Sequence, residues 1–281
     1  MKKIKLCIGL LSYCPDASSK RFEIFKKSIE SIALLKRGRD DVYIYVWDNS
    51  SCIEAKEFLK SQDFFDSFHF SDKNLYDFVA TDFLYKKAKS LNAEYVCHLE
   101  DDFYFYNENF LADCFEFMDN NLDCGTLRIL KYEYNHQYIY DKFLNHPQMD
   151  EQNCQRHFNN ISKQPLNWEE YGQIDNHTFY KNNWHWYNYP TICRTDVFEQ
   201  IVPKHDHSPL QALEGYMMRK YFELGLKVGV MDIGAVTHLG NFNTEQSARH
   251  KAYSESQLNL AAELPVIKYE EILEEVGRHG V

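Results

Sequence analysis

Three consecutive carboxylates are the residues of this sequence whose type and spacing most suggest chemistry. Glu100, Asp101 and Asp102 follow an apolar, β-prone run at residues 94–99. Three acids at the carboxyl end of a strand repel one another and cost stability, unless a cation or a phosphate-bound metal offsets their charge. Such oxygen ligands suit Mg2+ or Mn2+ carrying a diphosphate better than an all-protein cage. The alternative is a polar turn after a buried strand, where acidic residues are common.

The spacing of apolar residues predicts alternating strands and helices around these acids. Strands are predicted at residues 4–11, 42–47, 68–70, 94–99, 125–130 and 227–233, and helices between residue 22 and a stop at Gly38, at 54–61, at 76–90 and at 110–118. This alternation implies right-handed βαβ units and a mainly parallel sheet, whose ligands bind beyond the carboxyl ends of the strands. Asp48 and the three acids all lie at such ends.

A well-marked helix later in the chain carries another candidate residue. Ser208 and Gln211 occupy the N-cap and N3 positions of a capping box, and Gly225 ends the helix. The apolar face is predicted to consist of Leu213, Met217, Tyr221 and Leu224. Glu214 lies in the second turn, where a solvated surface glutamate is the alternative to a catalytic base.

An aromatic-rich stretch follows the first half of the chain. Residues 132–183 show no clear period and are predicted to be loops with short elements, of the kind that form a lid or a binding surface. Trp184 and Trp186, just beyond, lack the apolar neighbours of a core strand. Because aromatic faces stack on sugar rings, we predict that these two tryptophans form a wall of the sugar or acceptor site. Packing in the core is the alternative.

Composition limits the class of protein. The net charge of −11 argues against a general nucleic-acid binder, which needs a basic face. Eight cysteines without a C-x-x-C pair indicate free thiols of a reducing compartment. The first residues begin like a signal peptide, but their apolar run is too short and no cleavage site follows. No segment approaches the roughly 20 apolar residues of a membrane span. These features predict a cytoplasmic protein without a transmembrane segment.

The order of these parts resembles a GT-A-fold, nucleotide-sugar-dependent glycosyltransferase of the broad group that includes family 2 enzymes. The matching segments are S-Y-C-P-D-A-S-S-K-R-F after the first strand, V-W-D-N-S-S after the second, and L-E-D-D-F, which resembles the D-x-D metal motif. Later, A-L-E-G-Y-M-M-R-K-Y-F-E-L-G-L-K resembles the helix that carries the acceptor-activating acid, and T-H-L-G resembles the late histidine of the metal site. The resemblance covers residues 4–105 and 190–240.

The resemblance implies an α/β fold of the GT-A type. This fold has a Rossmann-like, mainly parallel central sheet flanked by helices, here with an aromatic-rich irregular insertion and a helical C-terminal tail. The implied catalytic domain is 1–240, with a nucleotide-sugar half at 1–105 and an acceptor half at 106–240. Residues 241–281 form the helical extension.

The resemblance also implies roles for individual residues. The residues expected to bind the nucleotide sugar are Ser12, Tyr13, Asp48, Glu100 and Asp101. Asp48 would accept a hydrogen bond from a nucleobase N–H, and it could also hold a turn with the polar residues that follow it. Asp102 and His238 would bind Mn2+ or Mg2+, with His250 a weaker competitor. Glu214 would be the base of an inverting transfer, although Gly215 stands where the family usually has an Asp.

These roles predict a metal-dependent glycosyltransferase that moves a sugar from a UDP- or GDP-type donor to a carbohydrate acceptor. One alternative is a sugar-nucleotide-forming nucleotidyltransferase, but residues 12–22 lack the glycine-rich basic loop expected of that class. Another is a carbohydrate-binding protein on the same fold that has lost catalysis. The intact acidic cluster argues against it, because nothing else would offset the repulsion among the three carboxylates.

Overall fold

The computed structural model describes residues 3–107, 109–129, 168–182, 190–202, 213–231 and 235–238. Its strands are β1 (Leu6–Ser12), β2 (Val42–Asp48), β3 (Ser67–Phe70), β4 (Tyr95–Glu100), β5 (Phe103–Phe105), β6 (Cys124–Arg128), β7 (Trp168–Ile174), β8 (His177–Asn182), β9 (Thr191–Arg194), β10 (Lys227–Met231) and β11 (Val236–His238). Its helices are α1 (Lys20–Lys36), α2 (Ile53–Lys60), α3 (Tyr76–Ser90), α4 (Phe110–Asn120), α5 (Thr195–Ile201) and α6 (Leu213–Glu223). The strands and helices predicted up to residue 130 are all present.

A large mixed sheet forms the centre of the described part of the protein. Its strand order is β3-β2-β1-β4-β9-β6-β10-β8-β7. Strands β3, β2, β1 and β4 run parallel to one another, and β6 runs parallel to β10. The predicted α/β fold, with a sheet that is mostly parallel at its core and flanked by helices, is confirmed. Because parallel strands end at one edge, the loops that follow β1, β2 and β4 meet there.

Three strands of the sheet are antiparallel to their neighbours, and the sequence pattern did not reveal them. β9 lies antiparallel between β4 and β6, and the hairpin β7–β8 extends the sheet beyond β10. The short elements predicted within residues 132–183 include, at 168–182, a β-hairpin whose pairing with the main sheet was not predicted. An edge hairpin exposes one face and draws its stability from pairing with β10, so its own apolar period is weak. Residues 130–167 and 183–189, which include Trp184 and Trp186, lie outside the described residues.

Helices α1 and α3 hold the first strands in place. Phe25, Ile29 and Ile32 of α1 are fully buried, as their spacing predicted. Helix α3 packs directly on β1 because Gly9 has no side chain: a Cβ at Gly9 would lie 2.7 Å from a methyl carbon of Leu84. This close approach packs α3 against the middle of β1.

Helix α6 is confirmed from residue 213, whereas its predicted capping box lies outside the described residues. Met217 and Tyr221 of the predicted apolar face are buried. The Tyr221 hydroxyl accepts a hydrogen bond from the Gly125 N–H at 3.0 Å and so ties α6 to β6. Gly225 ends the helix with a φ of +66°, in the left-handed region that glycine adopts without strain.

A two-stranded antiparallel ribbon, β5–β11, lies beside the main sheet. Its register places His238 opposite Phe103 and Thr237 opposite Tyr104. The ribbon is tied to α1, since the Phe105 N–H donates to Ser31 Oγ at 2.9 Å. The ribbon therefore brings a segment more than a hundred residues away in sequence next to the acidic cluster.

The cysteines of the described part agree with the composition-based prediction of free thiols. Seven cysteines lie in it, and all are free thiols. Burial raises the pKa of Cys7 and of Cys14 to about 12, so both stay protonated at neutral pH. None of the helices described is both long and apolar enough to cross a membrane.

Candidate functional site

The candidate site lies where parallel strands of the main sheet end side by side. The register places Ser12 beside Asp48 and Leu11 beside Glu100. The Ser71 N–H donates to the Asp48 carbonyl at 2.9 Å and ties the end of β3 to the same edge. The sheet thus brings together the polar strand ends that the sequence singled out.

Asp48 is fully buried and uses one carboxylate oxygen to hold its own loop. Oδ1 accepts a hydrogen bond from the Ser51 N–H at 3.1 Å, and Lys56 Nζ lies 3.8 Å from the same oxygen. Oδ2 is buried and has no hydrogen-bond partner within the described part of the chain. Burial raises the pKa of Asp48, while the contacts with Ser51 and Lys56 oppose that shift. A turn role and a ligand role are compatible here, because each oxygen can serve one of them.

A second unsatisfied oxygen lies next to Asp48. Ser12 is fully buried, and its hydroxyl also lacks a hydrogen-bond partner among the described residues. In the adjoining turn, Ser50 has a φ of +72°, a conformation that costs energy for a residue other than glycine. Buried polar groups are almost always satisfied, so the two oxygens leave hydrogen-bonding capacity at this strand edge for an ordered water or a polar ligand.

Asp101 is bound by the protein on both of its oxygens. The Tyr13 N–H donates to Oδ2 at 2.8 Å, and the Arg21 guanidinium donates to Oδ1. Burial raises the pKa of Asp101 to about 6, although Arg21 opposes the shift. Asp102 and Asp48 raise it further, which shows that the three carboxylates interact electrostatically. Asp101 thus joins β1, α1 and β4 at the site.

Asp102 contacts the same arginine more loosely. Arg21 Nη1 lies 3.5 Å from Asp102 Oδ2, and both side chains are largely buried. Arg21 therefore offsets part of the repulsion within the acidic cluster. The sequence-based argument that nothing but a ligand could offset this repulsion was wrong, because the cation comes from helix α1. The argument against a non-catalytic protein loses that support.

A divalent metal fits these residues only if a diphosphate supplies some of its ligands. In the part of the chain that the structure describes, no group of three or more His, Cys, Asp or Glu side chains could hold a metal ion. Asp101 is engaged by Tyr13 and Arg21, which leaves Asp102 as the better-placed carboxylate. Mg2+ is commonly bound by one or two carboxylates together with substrate phosphates, and this donor set is of that kind.

The overall arrangement matches solved structures although the sequence matches nothing closely. No protein-family model matches the chain, and no curated protein matches it by sequence. A fragment of S. aureus TarS superposes with a TM-score of 0.53 at 15% identity, over 84% of this chain and 60% of that one. The TarS fragment in complex with UDP-GlcNAc gives a TM-score of 0.51 at 16% identity, over 83% and 58%. The chain has a GT-A-type glycosyltransferase fold.

The GT-A match covers only part of the solved proteins. This chain spans less than two thirds of the TarS fragment, and 36% of a longer TarS structure. At this level of identity the likeness establishes the fold alone.

Two further predicted residues, His238 and Glu214, are described by their backbone positions alone. His238 lies on β11 opposite Phe103, the residue that follows Asp102, so its backbone is adjacent to the acidic cluster. Glu214 is the second residue of α6 as described. Neither side chain is among the described ones, so their roles stay predictions. Trp184, Trp186 and His250 lie outside the described residues.

Three residues near the acids of this GT-A site were not predicted from the sequence. Arg21 lies in the segment S-Y-C-P-D-A-S-S-K-R-F, but its pairing with the acids depends on how α1 packs. Tyr104 and Tyr106 are each 38% exposed, whereas Phe103 and Phe105, which alternate with them, are buried. This alternation of exposed tyrosine and buried phenylalanine was a readable strand signal. Tyr104 follows Asp102 by two residues, so their Cα atoms lie within about 7 Å of each other.

Proposed function

We propose that the protein is a glycosyltransferase that transfers a sugar from a nucleoside-diphosphate sugar to a carbohydrate acceptor, with a divalent cation and with inversion at the anomeric carbon. The observation that carries the proposal is the set of buried polar groups at one edge of a GT-A-type sheet. Asp48 Oδ2 and Ser12 Oγ are unsatisfied there, and Asp101 and Asp102 lie two strands away from β2. This set suits a ligand with a polar base at one end and a metal-bound diphosphate at the other.

The donor would lie across the ends of β1, β2 and β4. Asp48 Oδ2 would accept a hydrogen bond from a nucleobase N–H, and Ser12 would contribute its free hydroxyl. Asp102, with His238 as the predicted second ligand, would hold a Mn2+ or Mg2+ ion against the diphosphate. When bound, such an ion stabilises the negative charge that develops on the leaving diphosphate. Glu100 and Asp101 would shape the site beside the ion.

Glu214 is the proposed base. It would take the proton from the acceptor hydroxyl as that oxygen attacks the anomeric carbon, while the bond between the sugar and the diphosphate breaks. A direct displacement of this kind inverts the configuration. Positioned bases contribute about 10²–10⁴-fold to rate, so the loss of Glu214 should be large at the chemical step and small in donor binding.

The exposed tyrosines in and just after β5 suit the acceptor. Tyr104 lies in β5 and Tyr106 directly follows it, and both are close to Asp102 along the chain. Aromatic faces exposed beside a charged site are what a sugar ring binds by stacking. Trp184 and Trp186 would add to this wall, as the sequence predicts. The nucleotidyltransferase alternative is not favoured, since the loop between β1 and α1 carries no glycine.

The experiment that tests the proposal combines binding and turnover. Thermal unfolding with a panel of nucleotide sugars, with and without Mn2+, should show stabilisation by UDP- or GDP-type donors that requires the ion. Release of nucleoside diphosphate should then be abolished by Asp102→Asn and by a chelator. Asp63→Asn is the matched control, because Asp63 is an exposed acid in the turn after α2.

Two results would contradict the proposal. One is the absence of stabilisation by any nucleotide sugar in the wild-type protein at millimolar concentration. The other is nucleoside diphosphate release by Asp102→Asn at the wild-type rate. Donor binding without any turnover would instead support a carbohydrate-binding protein that has lost catalysis.

A further inference from the structure

Arg21 makes two unequal contacts with the acidic pair. Its Nη2 donates a hydrogen bond to Asp101, whereas its Nη1 lies 3.5 Å from Asp102 Oδ2. Nη1 is buried and makes no hydrogen bond within the described part of the chain. The contact with Asp102 is therefore electrostatic, and it can be given up without breaking a hydrogen bond. The contact with Asp101 is the firmer of the two.

Helix α1 and the loop before it fix the backbone of Arg21, while part of its side chain is exposed to solvent. Arg21 is the second residue of α1, whose Phe25 and Ile29 are fully buried. The loop before α1 is held by its own hydrogen bonds, among them Ser18 N–H to Asp16 Oδ1 at 2.8 Å. The Arg21 side chain is 24% exposed, compared with 3% for Asp101 and 8% for Asp102. The Arg21 side chain is thus more accessible to solvent than either carboxylate, although its Nη1 is buried beside Asp102.

The charges explain why a cation is needed before any ligand arrives. Asp101 and Asp102 are adjacent and buried, and Asp48 lies near enough to raise the pKa of Asp101. Like charges in a buried cluster destabilise the folded state unless a cation is present. A divalent ion bound at Asp102 would supply two positive charges at the same place, and the guanidinium would then repel it. Arg21 and the ion would therefore compete for Asp102.

We propose that Arg21 is a resident counter-ion of the acidic pair, and that a divalent cation takes its place at Asp102 while Arg21 stays on Asp101. This inference rests on the proposed function, since it assumes that Asp102 meets a metal-bound diphosphate. Arg21 is thus a positioning residue: it keeps the empty site folded, and it sets how tightly the ion binds. The exchange lets the cluster keep a compensating charge whether or not a donor is present.

The test measures Mn2+ binding directly, by loss of the electron paramagnetic resonance signal of the free ion, with and without UDP or GDP. Arg21→Met removes the charge, Arg21→Gln keeps a hydrogen-bond donor for Asp101, and Arg21→Lys keeps the charge. Arg21→Met and Arg21→Gln should each bind Mn2+ roughly tenfold more tightly than the wild type, as expected when one like charge is removed a few ångströms away. Arg21→Lys should bind Mn2+ with about wild-type affinity.

Thermal unfolding gives the second readout. Arg21→Met should lower the Tm in the presence of a chelator, and saturating Mn2+ should close most of that gap. If Arg21→Met fails to fold, the same comparison is made with Arg21→Gln. Arg39→Met is the matched control, because Arg39 pairs with Asp41 next to the start of β2. That variant should leave Mn2+ affinity unchanged.

The outcomes separate the inference from the proposed function. If the wild type binds Mn2+ with UDP or GDP but the neutral variants bind it equally well or more weakly, the counter-ion role is wrong and the proposed function stands. An equal Tm loss with and without Mn2+ also overturns it, because Arg21 would then be purely structural. If neither wild type nor variants bind Mn2+ with either nucleotide, both the inference and the metal-dependent function fail.

Discussion

The backbone N–H of Tyr13 donates to the Asp101 carboxylate at 2.8 Å, across 88 positions of sequence. This bond joins the loop after β1 to the turn after β4, which carries two carboxylates of the proposed site. It also gives Asp101 and Asp102 different tasks. Asp101 is used to fasten the site together, and Asp102 remains the carboxylate better placed for a metal-bound ligand.

Asp101 should therefore contribute more to folding than to metal binding. Asp101→Asn keeps an oxygen for the Tyr13 N–H, whereas Asp101→Ala leaves that donor and Arg21 without their acceptor. We expect Asp101→Ala to be less stable than Asp101→Asn by about 1–3 kcal/mol, the cost of a buried unsatisfied donor. Urea unfolding measures the difference. Equal stability of the two variants would show that the Tyr13 bond contributes nothing.

Glu214 should act on the chemical step alone. Glu214→Gln is expected to lower kcat by about 10²-fold or more while the dissociation constant of the nucleotide-sugar donor stays unchanged. Turnover assays and donor titrations separate the two quantities. Glu223→Gln on the same helix is the matched control, since Glu223 is exposed and pairs with Lys220. A wild-type kcat in Glu214→Gln would assign the base to another residue.

Tyr104 and Tyr106 should set acceptor binding rather than donor binding. Replacing both by Ala is expected to lower kcat/KM for the acceptor about tenfold, because each stacked ring contributes about 0.5–1.5 kcal/mol. Slow hydrolysis of the donor by water should not change. The corresponding double Phe variant should keep most of the activity, because it keeps the rings. Tyr171→Ala on edge strand β7 is the control, with a similar exposed fraction of 39%. If the double Ala variant had the same KM for the acceptor as the wild type, this role would be contradicted.

His98 should make the fold sensitive to acid. It is buried on β4, where its Nδ1 lies 3.2 Å from Thr81 Oγ1, and burial lowers its pKa to about 3. The unfolded chain binds a proton near pH 6.5, but the folded chain does not until about pH 3. The contribution of neutral His98 to the free energy of unfolding is therefore fully present above pH 6.5, and it is lost as the pH falls towards 3.

The expected slope is up to about 1.4 kcal/mol of unfolding free energy per pH unit within that window. His98→Gln removes the titration, so its unfolding free energy should fall less steeply between pH 6.5 and 4 than that of the wild type. Urea unfolding at several pH values measures both slopes. Identical slopes would mean that His98 is protonated in the folded state, contrary to its burial.

The sequence by itself determined the elements that position the site. Apolar spacing predicted β1, β2, β4 and α3 to within two residues, because an element that buries one face has apolar residues at regular intervals along its own sequence. The acids at 100–102 and Asp48 could be placed at one edge because parallel strands end together. The alternation of exposed Tyr104 with buried Phe103 is also a local pattern, so strand β5 could have been predicted in the same way.

Tertiary structure alone decided which groups meet across the chain. Arg21 reaches Asp101 and Asp102 only because α1 packs as it does, and no local pattern encodes that contact. The β7–β8 hairpin likewise depends on β10 for its pairing, so its own residues carry a weak signal. Periodicity records how each segment meets the core, whereas the division of labour between Asp101 and Asp102 depends on distances between segments that the linear sequence does not contain.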